Sequence, residues 1–67
     1  MNDSVKKYYV FKNDEHRDFD GFFDLEEAIS YAMETDSDEV ELTVWNSENG
    51  YQNREPADYF KTVWKRN

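Results

Sequence analysis

The sequence predicts a small α+β domain in which one helix packs on one face of a three-stranded sheet, in the order β-α-β-β. Three observations support this: a β-branched and aromatic run near the N-terminus, one stretch with helical apolar spacing, and one stretch that alternates apolar and polar residues. A chain of 67 residues buries only about 60% of its unfolded surface. We therefore expect residues 1–67 to form one domain with a small core.

The first strand is predicted at residues 5–12 (VKKYYVFK), which combine β-branched and aromatic side chains without a helical pattern. The helix is predicted at residues 25–35, because apolar side chains recur there at the spacing i, i+3, i+4, i+7 and i+8. These side chains are Leu25, Ala28, Ile29, Ala32 and Met33. Asp24 precedes them as a candidate N-cap, and Glu27 completes a pair that resembles a capping box.

Two further strands complete the predicted sheet. Residues 39–46 alternate apolar and polar side chains, which is typical of a strand with one buried face. Residues 46–58 are rich in turn-forming residues, and Asn49-Gly50 is the strongest turn signal among them. Residues 59–65 (YFKTVWK) suit a helix or a strand, and we favour the strand because β-branched and aromatic residues dominate. The predicted core consists of Leu25, Ile29, Met33, Val40, Leu42 and Val44.

Charge is distributed unevenly along the chain. The formal net charge is −8, and residues 18–53 contain eleven carboxylates but no Lys or Arg. A negative field of this kind repels nucleic acid and anionic membranes, and it accelerates encounter with a basic protein surface. We therefore expect a basic protein as the partner, with no direct nucleic-acid or membrane binding. The simpler explanation of the acidity is that it keeps a small domain soluble.

Aromatic side chains are the second sign of a binding surface. The chain has 5 Phe, 5 Tyr and 2 Trp, more than a core of this size is expected to bury. The sheet face away from the helix is expected to stay uncovered and to carry Glu39, Glu41 and Trp45. Exposed Tyr and Trp are enriched at protein interfaces. The predicted partner-binding residues are Glu26, Glu27, Tyr31, Glu34, Glu39, Glu41 and Trp45.

In size, acidity and aromatic content, the chain resembles the small inhibitors that phages and mobile elements encode and that act by DNA mimicry. Rows of carboxylates can imitate a phosphate backbone: Glu39 and Glu41 on a strand would lie about 6.6 Å apart, and Glu27 and Glu34 would align about two turns apart on a helix. The resemblance implies an inhibitor, in a host cytoplasm, that occupies the basic site of a nucleic-acid-handling protein such as a nuclease or a glycosylase.

Residues 16–27 also resemble the twelve-residue calcium loop of an EF-hand, with Gly21 at the sharp turn. The ligand positions then fall on Asp18, Asp20, Asp24 and Glu27. The first ligand position holds His16 in place of an oxygen donor, and a predicted strand precedes it where an EF-hand has a helix. A turn and a helix cap explain these residues more simply, so calcium binding is an alternative to partner binding.

No catalytic or redox site is recognisable in the sequence. There is no Cys, and the single His, His16, stands in a predicted polar loop without the nucleophile and orienting partner of a catalytic triad. We therefore expect a non-enzymatic protein that needs no cofactor. No run approaches the roughly 18 apolar residues of a membrane span, and the N-terminus lacks the apolar stretch of a signal peptide. Both observations predict a cytoplasmic protein.

Two other arrangements remain open. Lys and aromatic residues of the first and third predicted strands would form a stacking platform for nucleic acid if those strands were adjacent, although the net charge opposes it. A homodimer, or an accessory subunit that covers the open sheet face, is the other possibility.

Overall fold

Four antiparallel strands form one sheet, and the longer of two helices packs on one of its faces. The computed structural model describes residues 4–13, 15–16 and 21–66. The elements are β1 (Val5–Lys12), β2 (Glu15–His16), α1 (Leu25–Glu34), β3 (Glu39–Trp45), α2 (Glu48–Gln52) and β4 (Tyr59–Lys65). The spatial order of the strands is β2-β1-β3-β4. The predicted α+β class is confirmed, and the two-residue β2 and the five-residue α2 add to the predicted order.

The strand register assigns each side chain to one face of the sheet, because residues paired across strands point to the same side. Val10 pairs with Val40 and Tyr8 pairs with Leu42 on the side where α1 packs, which we call the helix face. We call the opposite side the far face. Its paired rows are Lys7, Thr43 and Phe60, then Tyr9, Glu41 and Thr62, then Phe11, Glu39 and Lys65.

The core lies between α1 and the two central strands. Its fully buried residues are Val10, Ala28, Ala32 and Val40. Among the predicted core residues, Val40 and Val44 are buried, whereas Leu25, Ile29 and Leu42 are half-buried.

Met33 was predicted to be in the core, but the structure shows it to be 61% exposed. The helix approaches the sheet through Ala28 and Ala32, whose small side chains allow close contact. One residue of α-helix turns the side-chain direction by about 100°, so Met33 points away from the surface that Ala32 buries. The apolar stripe of α1 is thus wider than the part of the helix that contacts the sheet.

The connection between β3 and β4 contains the short helix α2 in place of the predicted turns. Ser47 is its N-cap, and its Oγ accepts a hydrogen bond from the backbone N–H of Gly50 at 3.0 Å. The rings of Trp45 and Tyr51 meet edge to face, with centroids 5.1 Å apart. Trp45 Nε1 also donates to the carbonyl of Glu55 at 2.9 Å. These contacts fold the connection back onto β3, so the far face is partly covered, contrary to the prediction that it would be open.

The N-terminus of α1 differs in one detail from the predicted capping box. Asp24 occupies the N-cap position with extended backbone angles, φ −120° and ψ 128°, but its side chain makes no capping hydrogen bond. The prediction that Asp24 is the N-cap is confirmed, but the predicted capping box with Glu27 does not form. The carboxylate of Asp24 is thus left available at the surface.

Candidate functional site

A shallow groove lies along one side of α1, next to Phe22, which forms a bridge to Tyr8 of β1. Its cavity has a volume of about 500 Å³ and is largely open to solvent. We call it the acidic groove. Its lining residues are Phe22, Asp24, Glu26, Glu27, Ser30, Tyr31 and Glu34. It therefore contains four carboxylates and no Lys or Arg.

The floor of the acidic groove is aromatic. Phe22 is fixed by two backbone hydrogen bonds with Tyr8, of 2.7 and 2.8 Å, which continue the sheet beyond β1. The ring of Phe22 packs against that of Tyr31, with centroids 5.4 Å apart and planes inclined by 48°. Tyr31, predicted to lie on the exposed side of the helix, is half-buried against the core and lines the groove as well. The two rings give the groove a rigid apolar base.

The rim of the acidic groove consists of exposed carboxylates. Within the described residues, no hydrogen bond or ion pair engages the side chains of Asp24, Glu26, Glu27 or Glu34, and the described salt bridge joins Lys12 to Asp36 elsewhere. Glu27, Tyr31 and Glu34 follow the spacing i, i+4, i+7 and so share one stripe of the helix. Along that stripe the two glutamates stand about 10.5 Å apart. The carboxylates thus flank an aromatic ring on a rigid helix.

The other three predicted binding residues lie on the far face, with the sheet between them and the acidic groove. Glu39 stands between Phe11 and Lys65 in the register, and its Oε2 accepts a hydrogen bond from Thr62 Oγ1 at 3.2 Å. Glu41 and Trp45 are half-buried, and each is engaged by neighbouring groups. The predicted set therefore divides in two: Glu26, Glu27, Tyr31 and Glu34 surround the groove, whereas Glu39, Glu41 and Trp45 belong to the opposite side.

A buried lysine surrounded by aromatic rings is a feature that the sequence did not reveal. Lys7, on the far face, is only 7% exposed. Its Nζ lies 5.6 Å from the ring centroid of Tyr9, 5.2 Å from that of Phe23 and 5.5 Å from that of Tyr51. We call these three rings the aromatic cage. They come from three separate segments of the chain, so no local spacing indicates that they meet.

Gly21 allows the chain to pass close to the aromatic cage. Its φ of +72° is in the left-handed region that favours glycine. A Cβ at this position would lie 2.9 Å from Cε1 of Tyr9 and 3.0 Å from Cε of Lys7. The predicted turn signal at Gly21 therefore corresponds to a close approach between the chain and the side chains of β1.

The predicted calcium ligands Asp18 and Asp20 lie outside the described residues. Of the other two, Asp24 and Glu27 are on the rim of the acidic groove. Residue 15, just before the calcium-like loop, and residue 16, its first position, pair with β1 as a strand. Across the described parts of the chain, no group of three or more His, Asp or Glu side chains is arranged to hold a metal ion.

The stacking platform for nucleic acid required the first and third predicted strands, now β1 and β4, to be adjacent. It does not form in this way, because β3 lies between them. The lysines of the first and last strands are consequently separated by the acidic strand. Neither α1 nor α2 is long and apolar enough to cross a membrane. Comparison of the chain with protein-family models, with curated proteins and with solved structures found no match.

Proposed function

We propose that this chain is a non-enzymatic binding protein whose acidic groove receives a basic segment of another protein. The observation that carries the proposal is the convergence of four carboxylates, which no described ion pair neutralises, around the aromatic floor of Phe22 and Tyr31. A carboxylate rim attracts cations, and a ring at its centre provides apolar contact area. A Lys or Arg side chain needs both features, because its charged head and its apolar stem are buried together.

The carboxylates and the aromatic ring of the acidic groove would have different roles in binding, because the carboxylates are exposed and the ring is half-buried. The exposed carboxylates of Glu27 and Glu34 would set the rate of encounter and the register of the partner, since solvated charges act mainly through long-range attraction. The ring of Tyr31 would supply most of the affinity, because aromatic side chains at the centre of an interface lose the most when truncated. An arginine guanidinium stacked on Tyr31 could pair with a glutamate of the rim at the same time.

Glu34 supports a role beyond folding. It is the last residue of α1, and the last turn of that helix contains no basic residue. A negative charge at this end of a helix opposes the macrodipole and costs about 0.3–1 kcal/mol. The carboxylate at this position thus works against the stability of the helix, which a binding role would explain.

The specific form of this proposal is an inhibitor that acts by DNA mimicry. A basic site that recognises phosphates would meet a row of carboxylates instead, and the protein would block a nucleic-acid-handling enzyme in the cytoplasm of a host cell. The net charge of −8 supports this choice of partner, because binding sites for phosphate backbones are strongly positive.

Affinity capture with charge-reversed variants tests the proposal. The double variant Glu27→Lys, Glu34→Lys should lose the basic proteins that the natural protein retains at low salt. The double variant Glu15→Lys, Glu48→Lys is the matched control, because it changes the net charge equally at exposed positions outside the acidic groove. Release of the captured protein by an excess of duplex DNA would support DNA mimicry.

Two outcomes would contradict the proposal. Equal loss of binding in both double variants would show that only the total charge matters. Binding that persists at high salt and survives reversal of the groove would place the interface elsewhere. If the groove variant alone loses the partner but DNA does not release it, the groove binds a basic protein and the mimicry is wrong.

A second candidate function is association with another copy or a partner subunit through the far face. Phe23 and Phe60 favour it, since these large apolar side chains are 68% and 64% exposed on that side of the sheet. Light scattering after size exclusion distinguishes a homodimer from a monomer, and Phe60→Lys should convert a dimer of this kind to a monomer.

A further inference from the structure

We propose that the aromatic cage is a binding site for a methylated ammonium group, and that Lys7 fills this site in the free protein. The cage lies on the far face, whereas the acidic groove lies beside α1 on the helix face. The inference therefore stands independently of the proposed function, and a failure of either leaves the other intact.

The geometry of the aromatic cage is that of a cation site. Nζ of Lys7 lies 5.2 to 5.6 Å from three ring centroids, within the limit of about 6 Å at which a ring attracts a cation. The three rings are held by different elements: Tyr9 by β1, Phe23 by the segment before α1, and Tyr51 by α2. Three rings directed at one point are more than is needed to pack the stem of a lysine.

Lys7 is a poorly matched occupant of this site. Its primary ammonium has three N–H donors, and within the described residues no hydrogen bond or ion pair satisfies them. Its exposure of 7% leaves little room for water to do so. Burial of an ammonium without hydrogen bonds is costly, and attraction to the rings offsets only part of that cost.

A methylated ammonium suits the same rings better. Methylation replaces N–H donors by apolar groups and keeps the positive charge, so the cost of removing the group from water falls while the attraction to the rings remains. Aromatic cages recognise quaternary ammonium ligands for this reason. Such a ligand would compete with Lys7, whose flexible four-carbon stem can carry its ammonium out into solvent.

The outer wall of the aromatic cage is accessible. Phe23 contacts the ammonium with its ring while 68% of the residue faces solvent. A ligand can therefore enter past Phe23 without disturbing Val10, Val40 and the two alanines that form the buried core. Because this wall is exposed, an external ligand can reach the three rings, which would be impossible if protein enclosed Lys7 on all sides.

Titration with tetramethylammonium chloride, followed by amide NMR, tests the proposal, with sodium chloride as the control for ionic strength. The natural protein should show saturable shifts confined to Lys7, Tyr9, residues 21–23 and Tyr51. Lys7→Ala removes the internal competitor and should bind the probe at least tenfold more tightly. Phe23→Ala removes an exposed wall, keeps the core and should weaken binding severalfold.

The results divide clearly. Folded Lys7→Ala protein that shows no saturable shift would overturn the cation site. Binding by Lys7→Ala but not by the natural protein would overturn displacement of Lys7 by a ligand. If Lys7→Ala fails to fold, the comparison of the natural protein with Phe23→Ala decides, since equal affinities would overturn the assignment.

Two sources of the ligand are distinguished by two further probes. Choline represents a free small molecule, and a short peptide with trimethyllysine represents a modified protein. The unmethylated form of the same peptide is the control, because a net charge of −8 attracts any basic peptide. Equal binding of the two peptides would overturn recognition of the methyl groups.

Discussion

Nη2 of Arg66 donates a hydrogen bond to the carbonyl oxygen of Ala32 at 3.3 Å, and this bond joins the residue that follows the last strand to the last turn of α1. Nε of the same guanidinium donates to the carbonyl of Ser37 at 2.8 Å. The guanidinium also lies 5.7 Å from the ring centroid of Trp64. The same Ala32 carbonyl also accepts the backbone N–H of Ser37 at 2.8 Å, so the arginine adds a second donor to it and supplies the positive charge that the end of a helix favours.

Replacement of Arg66 by Ala should lower the free energy of unfolding by about 1–2 kcal/mol, because a hydrogen bond to a charged group and a favourable charge at the helix end are lost together. Arg66→Lys should recover only part of this, since a lysine cannot span two carbonyls with a planar fork. Urea denaturation measures the change, and Lys61→Ala, a substitution at an exposed cation of β4, is the control. Equal stabilities of the Arg66→Ala and Lys61→Ala variants would contradict the bridging role.

The two glycines should respond differently to substitution by Ala. Gly21→Ala should destabilise the protein by about 1–2 kcal/mol, because the residue has a positive φ and a Cβ there would collide with Tyr9 and Lys7. Gly50→Ala should cost less, since a Cβ there would approach only the side chains of Ser47 and Glu55, at 3.2 and 3.3 Å. Thermal melting of both variants gives the comparison, and a larger loss at Gly50 would be the contrary result.

The orientation of α1 predicts opposite outcomes at two apolar positions. Ala28→Leu should destabilise the protein by about 1–3 kcal/mol, because Ala28 is fully buried against the sheet and a larger side chain overfills that contact. Met33→Lys should change the stability by no more than about 0.5 kcal/mol, since Met33 faces solvent. Chemical denaturation of the two variants is sufficient, and a marked loss at Met33 would show that the helix is rotated differently.

Substitutions in the acidic groove should separate stability from binding. Glu34→Gln should stabilise the free protein by about 0.3–1 kcal/mol, because it removes a negative charge from the negative end of α1. Glu27→Gln should destabilise it slightly, since Glu27 lies in the first turn, where negative charge is favourable. Both substitutions should lower the affinity for the captured partner. Melting curves and affinity measurements on the same samples test this, and an unchanged affinity for both variants would refute the assignment of the groove.

The elements of the fold follow from short-range patterns. The alternation at Val40, Leu42 and Val44 and the apolar spacing from Leu25 to Ala32 correctly predicted β3 and α1. Which part of the helical stripe faces the core depends on how closely the helix approaches. Two small side chains, Ala28 and Ala32, decided that approach, and a hydrophobicity pattern gives them less weight than the larger Met33.

The candidate site was less predictable because it depends on which surfaces the fold brings together. The sequence correctly indicated an acidic segment and placed Glu39 on the sheet face away from the helix, but it grouped Glu39 and Glu34 in one binding set, and the structure separates them by the sheet. The helix α2 was missed because Asn49-Gly50 is a strong hairpin signal, whereas here the capping of Ser47 prevails. The aromatic cage combines residues from three segments, and such long-range convergence leaves no local pattern.

The sheet order described above also bears on self-assembly. β4 is an outer strand, and its segment YFKTVWK is rich in aromatic and β-branched residues, a composition that favours stacking of identical strands into fibrils. Lys61 and Lys65 interrupt it with exposed charges, and in-register stacking would bring each ammonium against its copy. Charged side chains on an outer strand oppose such growth. We therefore expect Lys61 and Lys65 to act as gatekeepers that keep this outer strand from templating the addition of further strands.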